Sequence, residues 1–167
     1  MEIVFETNRL YLCVLDDSHL AAVTEFWGNE EVMVHCDGAS SNEVLPRIID
    51  VYKRCHGTHG ISVYAVKDKE SGKVIGAAGF NVIDSVNTIE LIYHYSKKSW
   101  GKGFATEAAA ACLEIARNHG EVQVITASAS PENKGSLKVL EKIGFTFIGM
   151  KWFDDTQQEE PYYEYRF

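Results

Sequence analysis

Hydrophobic and polar residues alternate along the first third of the chain in patterns that predict one strand followed by helices. Over residues 9–15, leucines and a valine fall near alternate positions, a spacing typical of a strand. Apolar side chains then recur at helical spacing over 20–27 and again over 44–52. Residues 30–35 indicate a shorter helix between these two. This part of the chain therefore predicts helices packed beside the first strand of a sheet.

The middle of the chain changes to a strand pattern. Apolar segments over 61–66, 74–83 and 88–96 are separated by polar turns at 69–73 and 84–87. Because these connections are short, we expect the three strands to form an antiparallel meander.

The last part of the chain alternates between helices and strands. The pattern predicts a helix over 102–119, a strand over 122–127, a helix over 132–143, and a final strand pair over 145–152 and 162–167. A strand-helix-strand unit implies two parallel strands within an otherwise antiparallel sheet. The predicted fold class is α/β (α+β). We expect a single domain over residues 1–167, with a mixed, mostly antiparallel sheet of about seven strands flanked by helices.

Composition narrows the class of protein. Hydrophobic residues make up 46% and charged residues 24% of the chain, as in ordinary globular proteins. The net charge of −8 disfavours a nucleic-acid partner, which requires a basic surface. No apolar run approaches the roughly 20 residues that span a bilayer, and the N-terminus lacks a signal-peptide pattern. The four cysteines have no framework spacing, so we expect reduced thiols in a cytoplasmic protein without a membrane partner.

Residues 90–106 are the most informative stretch for chemistry. An aromatic strand runs into Gly101-Lys102-Gly103 and then into an alanine-rich helix. Glycines at the start of a helix let the backbone approach a ligand, and the free N–H groups of the first turn favour a phosphate. Alone, this pattern also fits a tight turn that only helps packing. A second polar element over 130–136 follows the next strand at the same sheet edge, which favours a phosphate-bearing cofactor.

Four segments together resemble the GNAT family of acyl-CoA-dependent N-acetyltransferases. Residues 7–17 resemble its opening T-x-R-L-x-L…D, and residues 29–33 resemble its D/N-P-E-V-M. Residues 90–108 resemble its acetyl-CoA motif, and residues 133–145 resemble its second cofactor motif. The chain is most similar to the branch that includes the ribosomal-protein N-terminal acetyltransferases and related small-amine enzymes. The resemblance implies a central parallel strand pair that splays apart at the cofactor site.

The resemblance also assigns the residues that bind acetyl-CoA. The family's pyrophosphate signature falls on residues 98–103, with Lys98 in place of glutamine or arginine. The backbone at Tyr93 and Tyr95 is expected to pair with the pantetheine arm. The implied cofactor-binding residues are Tyr93, His94, Tyr95, Lys98, Trp100, Gly101, Lys102, Gly103, Phe104, Ala105, Thr106, Asn133 and Ser136. The alternatives are plain solvent exposure for Lys98 and Lys102, a half-buried structural histidine for His94, and a helix N-cap for Asn133.

Two residues are candidates for the proton transfers that acetyl transfer requires. An attacking amine must lose a proton, and Glu90 matches the family position that often accepts it. The alternative is that Glu90 faces solvent or pairs with a lysine. Many family members use a tyrosine after the second motif to protonate the leaving thiolate, but no tyrosine occurs between Tyr95 and Tyr162. The resemblance to the ribosomal branch therefore implies Ser136 in this role, and the alternative is an N-cap-like or CoA-contacting hydroxyl. Ile92 replaces a glycine that related sequences often have, which adds bulk beside the acceptor pocket.

The predicted function is transfer of an acetyl group from acetyl-CoA to a primary amine by direct attack in a ternary complex. The acceptor classes left open are a small molecule, a polyamine and a protein N-terminus. A non-catalytic acyl-CoA-binding or regulatory module with the same fold is the alternative. A different nucleotide binder is a third, although no P-loop pattern occurs. Family behaviour leaves a monomer or a homodimer open.

Two other features have weaker interpretations. Cysteines and histidines at 35–36 and 55–59 match no standard zinc spacing, so no metal is predicted. The acidic residues over 154–160 favour either attraction of a cationic acceptor or a solvated hairpin turn.

Overall fold

The fold is built around one mixed sheet, and the computed structural model describes residues 1–167. The strand order across the sheet is β1-β2-β3-β4-β5-β6-β8-β7. The strands are β1 (Ile3–Glu6), β2 (Leu10–Val14), β3 (Val63–Asp68), β4 (Val74–Asn81), β5 (Thr88–Tyr95), β6 (Val124–Ser128), β7 (Thr146–Phe153) and β8 (Gln158–Arg166). All neighbouring pairs are antiparallel except β5 and β6, as the strand-helix-strand pattern predicted.

Helices cover both faces of the sheet. They are α1 (Leu20–Thr24), α2 (Glu30–Met33), α3 (Leu45–His59), α4 (Phe104–His119) and α5 (Lys134–Lys142). One apolar cluster lies between the sheet and α4 with α5, and a second lies between the sheet and α1 to α3. No helix combines the length and the apolar character that crossing a bilayer requires.

The main difference from the predicted elements is at the N-terminus. Ile3–Glu6 forms an eighth strand, β1, although its four residues are only half-buried or exposed. Strand β8 begins at Gln158, four residues before the predicted start at 162. Its first residues pair with β7 in a hairpin, and tertiary pairing rather than local pattern therefore extends this strand.

The parallel pair separates along its length. Pairing between β5 and β6 covers only Thr88 to Glu90 on β5, opposite Val124 to Thr126 on β6. Beyond Glu90, β5 continues to Tyr95 and keeps its antiparallel partner β4 on the other side. The backbone edge of β5 that faces β6 is therefore unpaired from 91 to 95, and the predicted splay is confirmed.

Alternation along β5 sends successive side chains to opposite faces of the sheet. Ile89, Leu91 and Tyr95 pack in the cluster under α4. Ile92 packs against the cluster under α1 to α3, so Glu90, which has the same parity, lies on that face. The strand that borders the splay therefore presents one set of groups to each side of the sheet.

Candidate functional site

The turn between β5 and α4 forms a row of free backbone donors. Gly101 and Gly103 have φ angles of 75° and 80°, in the left-handed region that favours glycine. None of the backbone N–H groups from Gly101 to Thr106 donates a hydrogen bond to the protein backbone or to a side chain. Successive free N–H groups at the start of a 16-residue helix form an anion-binding concavity. This arrangement suits the pyrophosphate of a nucleotide cofactor.

Arg9, just before β2, holds this turn in place. Its Nη1 donates to the carbonyl oxygen of Lys102 at 3.0 Å, and its guanidinium lies 4.4 Å from the centre of the Phe104 ring. Its Nε donates to Glu107 Oε1 at 2.7 Å, and Thr7 Oγ1 donates to Glu107 Oε2 at 2.5 Å. Burial raises the pKa of Glu107, but these hydrogen bonds outweigh it and lower the pKa overall. The sequence singled out Thr7 and Arg9 only as parts of a motif and did not assign them this role.

The remaining residues of the turn differ in their contacts. Trp100 Nε1 donates to the carbonyl oxygen of Tyr95 at 3.0 Å, although the Trp100 side chain is 49% exposed. Lys98 is exposed and forms no ion pair, whereas the adjacent Lys97 pairs with Glu31. Lys98 is therefore exposed to solvent in this structure, which is the alternative given for it. Its ammonium group is also available to a phosphate.

Tyr93 and Ser136 meet across the mouth of the splay. The Tyr93 hydroxyl donates to the carbonyl oxygen of Ser136 at 2.9 Å, and Ser136 Oγ donates to the Tyr93 oxygen at 3.0 Å. Burial raises the pKa of Tyr93 to about 12, so the phenol stays protonated at neutral pH. Asn133 Oδ1 accepts from the backbone N–H of Ser136 at 3.3 Å and caps α5, which is the alternative expected for Asn133. The sequence predicted only a backbone role for Tyr93.

Glu90 lies where the parallel pairing ends, and a polar chain holds its carboxylate. Asn81 Nδ2 donates to Glu90 Oε1 at 3.0 Å. The hydroxyl of Tyr52, from α3, donates to Asn81 Oδ1 at 3.1 Å. Burial, and then the charge of Glu90, raise the pKa of Tyr52 to about 12. Glu90 pairs with no lysine, and nothing local in the sequence indicated Asn81 or Tyr52, which reach it through the sheet register and helix packing.

The side chain of His94 contacts core residues rather than the turn. Trp27 Nε1 donates to His94 Nδ1 at 3.1 Å, and His94 Nε2 lies 3.4 Å from Cys36 Sγ. Because an indole nitrogen only donates, the neutral ring carries its proton on Nε2. Burial lowers the pKa of His94 to about 4. His94 therefore matches the structural alternative, and only its backbone lies on the unpaired edge of β5.

A cavity of about 310 Å³, bordered by Cys36, opens on the α2 side of the sheet. Three segments line it, namely the loop after α2, the β6–α5 loop and the β7–β8 hairpin, through Val34, His35, Cys36, Asp37, Ser130, Glu132, Asp155, Thr156 and Gln158. No lysine or arginine lines this cavity. None of its three carboxylates forms an ion pair. The cavity is therefore a region of negative potential.

One acidic residue of the hairpin differs from its neighbours. Glu160 is only 5% exposed, and its Oε2 accepts from Thr156 Oγ1 at 3.1 Å and from Gln158 Nε2 at 2.9 Å. Asp154, Asp155 and Glu159 are exposed, as expected for a solvated turn. The hairpin is thus solvated at its tip and acidic inside.

The cysteines and histidines near 55 have ordinary structural partners. Cys55 Sγ donates to the carbonyl oxygen of Ile61 at 3.3 Å, and His56 Nδ1 lies 2.9 Å from the Tyr64 hydroxyl. The structure brings together no group of three or more His, Cys, Asp or Glu side chains suited to a metal ion.

Comparison with known proteins agrees with this architecture. The family model for the acetyltransferase (GNAT) domain matches residues 9–146, and the chain belongs to this family. The uncharacterized protein YkkB of Bacillus subtilis (strain 168) is 28% identical over 144 residues, or 84% of each chain. The uncharacterized N-acetyltransferase p20 of Bacillus licheniformis is 27% identical over 151 residues, which cover 86% of this chain and 83% of p20.

Solved structures share the whole fold. A GNAT-family acetyltransferase from Bacillus anthracis superposes with a TM-score of 0.85 at 24% identity, covering 99% of this chain and 98% of that one. RimL, a ribosomal L7/L12 alpha-N-protein acetyltransferase solved in complex with coenzyme A, superposes with a TM-score of 0.84 at 18% identity over the same shares of the two chains. At these identities the similarity establishes the fold alone.

Proposed function

We propose that the protein transfers an acetyl group from acetyl-CoA to a primary amine by direct attack in a ternary complex. The observation that carries the proposal is the row of free N–H groups from Gly101 to Thr106 at the end of an unpaired strand edge. Such a row binds a pyrophosphate, and an unpaired strand edge binds the amides of a pantetheine arm. The two features lie next to each other, as the pyrophosphate and the pantetheine arm do in coenzyme A.

The reaction needs two proton movements around one bond exchange. The amine nitrogen attacks the thioester carbonyl, a C–N bond forms, and the C–S bond breaks. Glu90 accepts the proton that the amine loses, and Ser136 donates a proton to the departing thiolate. A backbone N–H on the free edge of β5 stabilises the developing oxyanion.

Direct attack requires no enzyme nucleophile, and the thiols of the chain suit this scheme. Cys13 and Cys112 are fully buried, and burial raises the pKa of Cys112 to about 12. Burial also raises the pKa of Cys36, the thiol at the acidic cavity, and the charges of Glu160 and Asp155 raise it further. Thiols with raised pKa values are poor nucleophiles.

The acidic cavity supports a positively charged acceptor. Asp37, Glu132 and Asp155 line it without a neighbouring cation, and opposite charge attracts a polyamine or another amine with a second positive group. We therefore propose that α,ω-diamines are better acceptors than n-alkylamines of equal length. Asp155→Asn should lower kcat/KM for the diamine about threefold, because one of the attracting charges is lost. Asp84→Asn, in an exposed turn, is the matched control, and equal kcat/KM for both amines would contradict this acceptor class.

The cofactor is tested by calorimetry with acetyl-CoA. Gly101→Asp places a negative charge at the turn, and aspartate tolerates the left-handed conformation better than most residues. We expect the Kd for acetyl-CoA to rise about tenfold or more, which is about 1.4 kcal/mol. Gly57→Asp, at an exposed position of α3, is the matched control. Absence of binding to wild type, or equal binding by Gly101→Asp, would overturn the proposal.

Catalysis is tested separately by release of free thiol from acetyl-CoA with a panel of amines and basic N-terminal peptides. The alternative, a non-catalytic acyl-CoA-binding module, predicts binding without thiol release and no effect of Glu90→Gln. Thiol release that depends on an amine and falls in Glu90→Gln would exclude it.

A further inference from the structure

Asn81 stands directly across the sheet from Glu90. The two residues are register partners on β4 and β5, so their side chains lie on the same face. The Asn81 amide donates to Glu90 Oε1 at 3.0 Å, while its own oxygen accepts from Tyr52 at 3.1 Å. Two strands and helix α3 thus contribute to one chain of hydrogen bonds that ends on the carboxylate.

The direction of each hydrogen bond in this chain is determined by the Glu90 carboxylate. A carboxylate only accepts, so the NH₂ group of the amide must face Glu90, and the amide oxygen then accepts from the Tyr52 hydroxyl. A flipped amide would place two acceptors together, Asn81 Oδ1 and the Glu90 carboxylate, whereas the Tyr52 hydroxyl can accept as well as donate. The carboxylate therefore specifies which end of Asn81 meets it, and Tyr52 holds the other end of the amide.

This arrangement uses one carboxylate oxygen and leaves the other free. Glu90 Oε1 accepts from Asn81, and Oε2 accepts no hydrogen bond from the protein. A neutral donor binds a carboxylate and leaves its negative charge in place, whereas a lysine or an arginine would neutralise that charge. The charge of Glu90 raises the pKa of Tyr52 from α3 and of Tyr162 from β8, and both are neutral phenols at pH 7. Glu164 of β8 is in register with Glu90 across β6, and its carboxylate accepts from Tyr162 and pairs with Arg166.

We propose that Asn81 is a positioning residue that holds one oxygen of the Glu90 carboxylate and thereby turns the free oxygen toward the acceptor amine. The proposal rests on the role of Glu90 in the proposed function. Asn81 itself touches neither acceptor nor cofactor in this scheme and acts through Glu90, with its own oxygen held by Tyr52.

The direct test is the titration of Glu90 in the full chain by NMR with ¹³C-labelled glutamate carboxyls, assigned by the signal lost in Glu90→Gln. In Asn81→Asp, a second carboxylate replaces the donor, and the midpoint should move up by about one pH unit or more. In Asn81→Ala, loss of the donor alone should move it up by a smaller amount. Asn87→Asp, which adds the same charge at an exposed turn residue, should leave it unchanged. Identical midpoints in wild type, Asn81→Ala and Asn81→Asp would overturn the proposal.

The kinetic readout separates positioning from folding. The acid limb of the pH profile of kcat/KM should move with the NMR midpoint, while the KM for acetyl-CoA stays at the wild-type value. Tyr52→Phe keeps Asn81 but frees its amide, and should lower kcat about threefold with a smaller change in midpoint. An acid limb that stays in place while kcat falls would overturn the proposal. Failure of the proposed function is distinct, since an inactive wild type leaves the NMR titration fully measurable.

Discussion

At the residue scale, the neighbours Tyr93 and His94 illustrate how one strand serves two faces of a sheet. The phenol of Tyr93 contacts Ser136 on the α5 side, and the imidazole of His94 contacts Trp27 on the α1 side. Both side chains are largely buried, and burial favours the neutral form of each. A phenol is neutral when it is protonated, whereas a protonated imidazole carries a positive charge. Burial thus keeps one as a hydrogen-bond donor and prevents the other from becoming charged.

Tyr93→Phe should impair the orientation of Ser136. The Ser136 hydroxyl loses its acceptor and is free to rotate, so we expect kcat to fall about fivefold with the KM for acetyl-CoA unchanged. Ser136→Ala should have a larger effect, and adding Tyr93→Phe to it should change nothing further, because the two groups act as one unit. Steady-state thiol release measures both. Tyr11→Phe, whose hydroxyl makes no hydrogen bond, is the control, and additive effects would contradict the expectation.

His94 should make the protein less stable in acid. Its pKa is about 4 in the folded protein against 6.5 for an ordinary histidine, so between these values only the unfolded chain binds the proton. The free energy of unfolding should therefore fall as pH decreases from 6.5 toward 4, by up to about 3 kcal/mol from this residue. Urea unfolding at several pH values measures the slope.

His94→Gln keeps a donor and an acceptor but does not titrate, so its slope over that interval should be shallower than that of wild type. The pKa of His19 is also lowered by burial, and His19 contributes in the same direction in both proteins. Equal slopes for wild type and His94→Gln would contradict the assignment.

At the scale of elements, the turn between β5 and α4, here called the cofactor turn, depends on a contact between distant segments. Arg9 precedes β2, and Glu107 lies in the first turn of α4, yet the two share two hydrogen bonds. Arg9 also reaches back to Lys102 within the turn. The N-terminal hairpin therefore braces the loop that is proposed to bind pyrophosphate.

Arg9→Lys should weaken acetyl-CoA binding. Lysine keeps the charge but lacks the planar fork that contacts Glu107 and Lys102 together, so we expect the Kd to rise about tenfold. Calorimetry measures the change. Arg117→Lys, in an exposed ion pair at the other end of α4, is the control and should bind as wild type does. Equal Kd values for Arg9→Lys and wild type would remove the bracing role.

Local pattern predicts elements well and contacts between them poorly. The meander, the alanine-rich helix and the parallel pair follow from alternation and turn residues, all within a few positions in sequence. The pairs Arg9–Glu107 and Tyr93–Ser136 are separated by 98 and 43 residues. No periodicity connects such positions, so the turn was predictable and the residues that brace it were not.

At the scale of the whole molecule, the groups that attract a cation and the groups that attract an anion lie in different places. The chain carries a net charge of −8, and the cavity beside the splay is lined by carboxylates, whereas the cofactor turn offers free N–H groups. The proposed anionic cofactor and the proposed cationic acceptor would thereby be attracted to different sides of the sheet. This separation is consistent with a ternary complex in which the two meet only at the splay.

Ionic strength should act selectively on the acceptor. Raising salt from about 0.05 to about 0.5 M should lower kcat/KM for an α,ω-diamine several-fold, because screening weakens the attraction of the cavity. An n-alkylamine of the same length, with no second charge, should respond less. Thiol-release kinetics at a series of salt concentrations measures both, and parallel responses would argue against the cavity as the acceptor site.

The contact between Arg9 and the cofactor turn has a thermodynamic consequence for the opposite edge of the sheet. A ligand that binds only the ordered turn stabilises every element whose unfolding disrupts that turn, by about 2.7 kcal/mol at a hundredfold excess over its Kd. Strands β1 and β2 are tied to the turn through Arg9, although β2 lies three strands and β1 four strands away from β5. Amide hydrogens of the N-terminal hairpin should therefore exchange with deuterium more slowly when acetyl-CoA is bound, and in Arg9→Lys this distant protection should disappear.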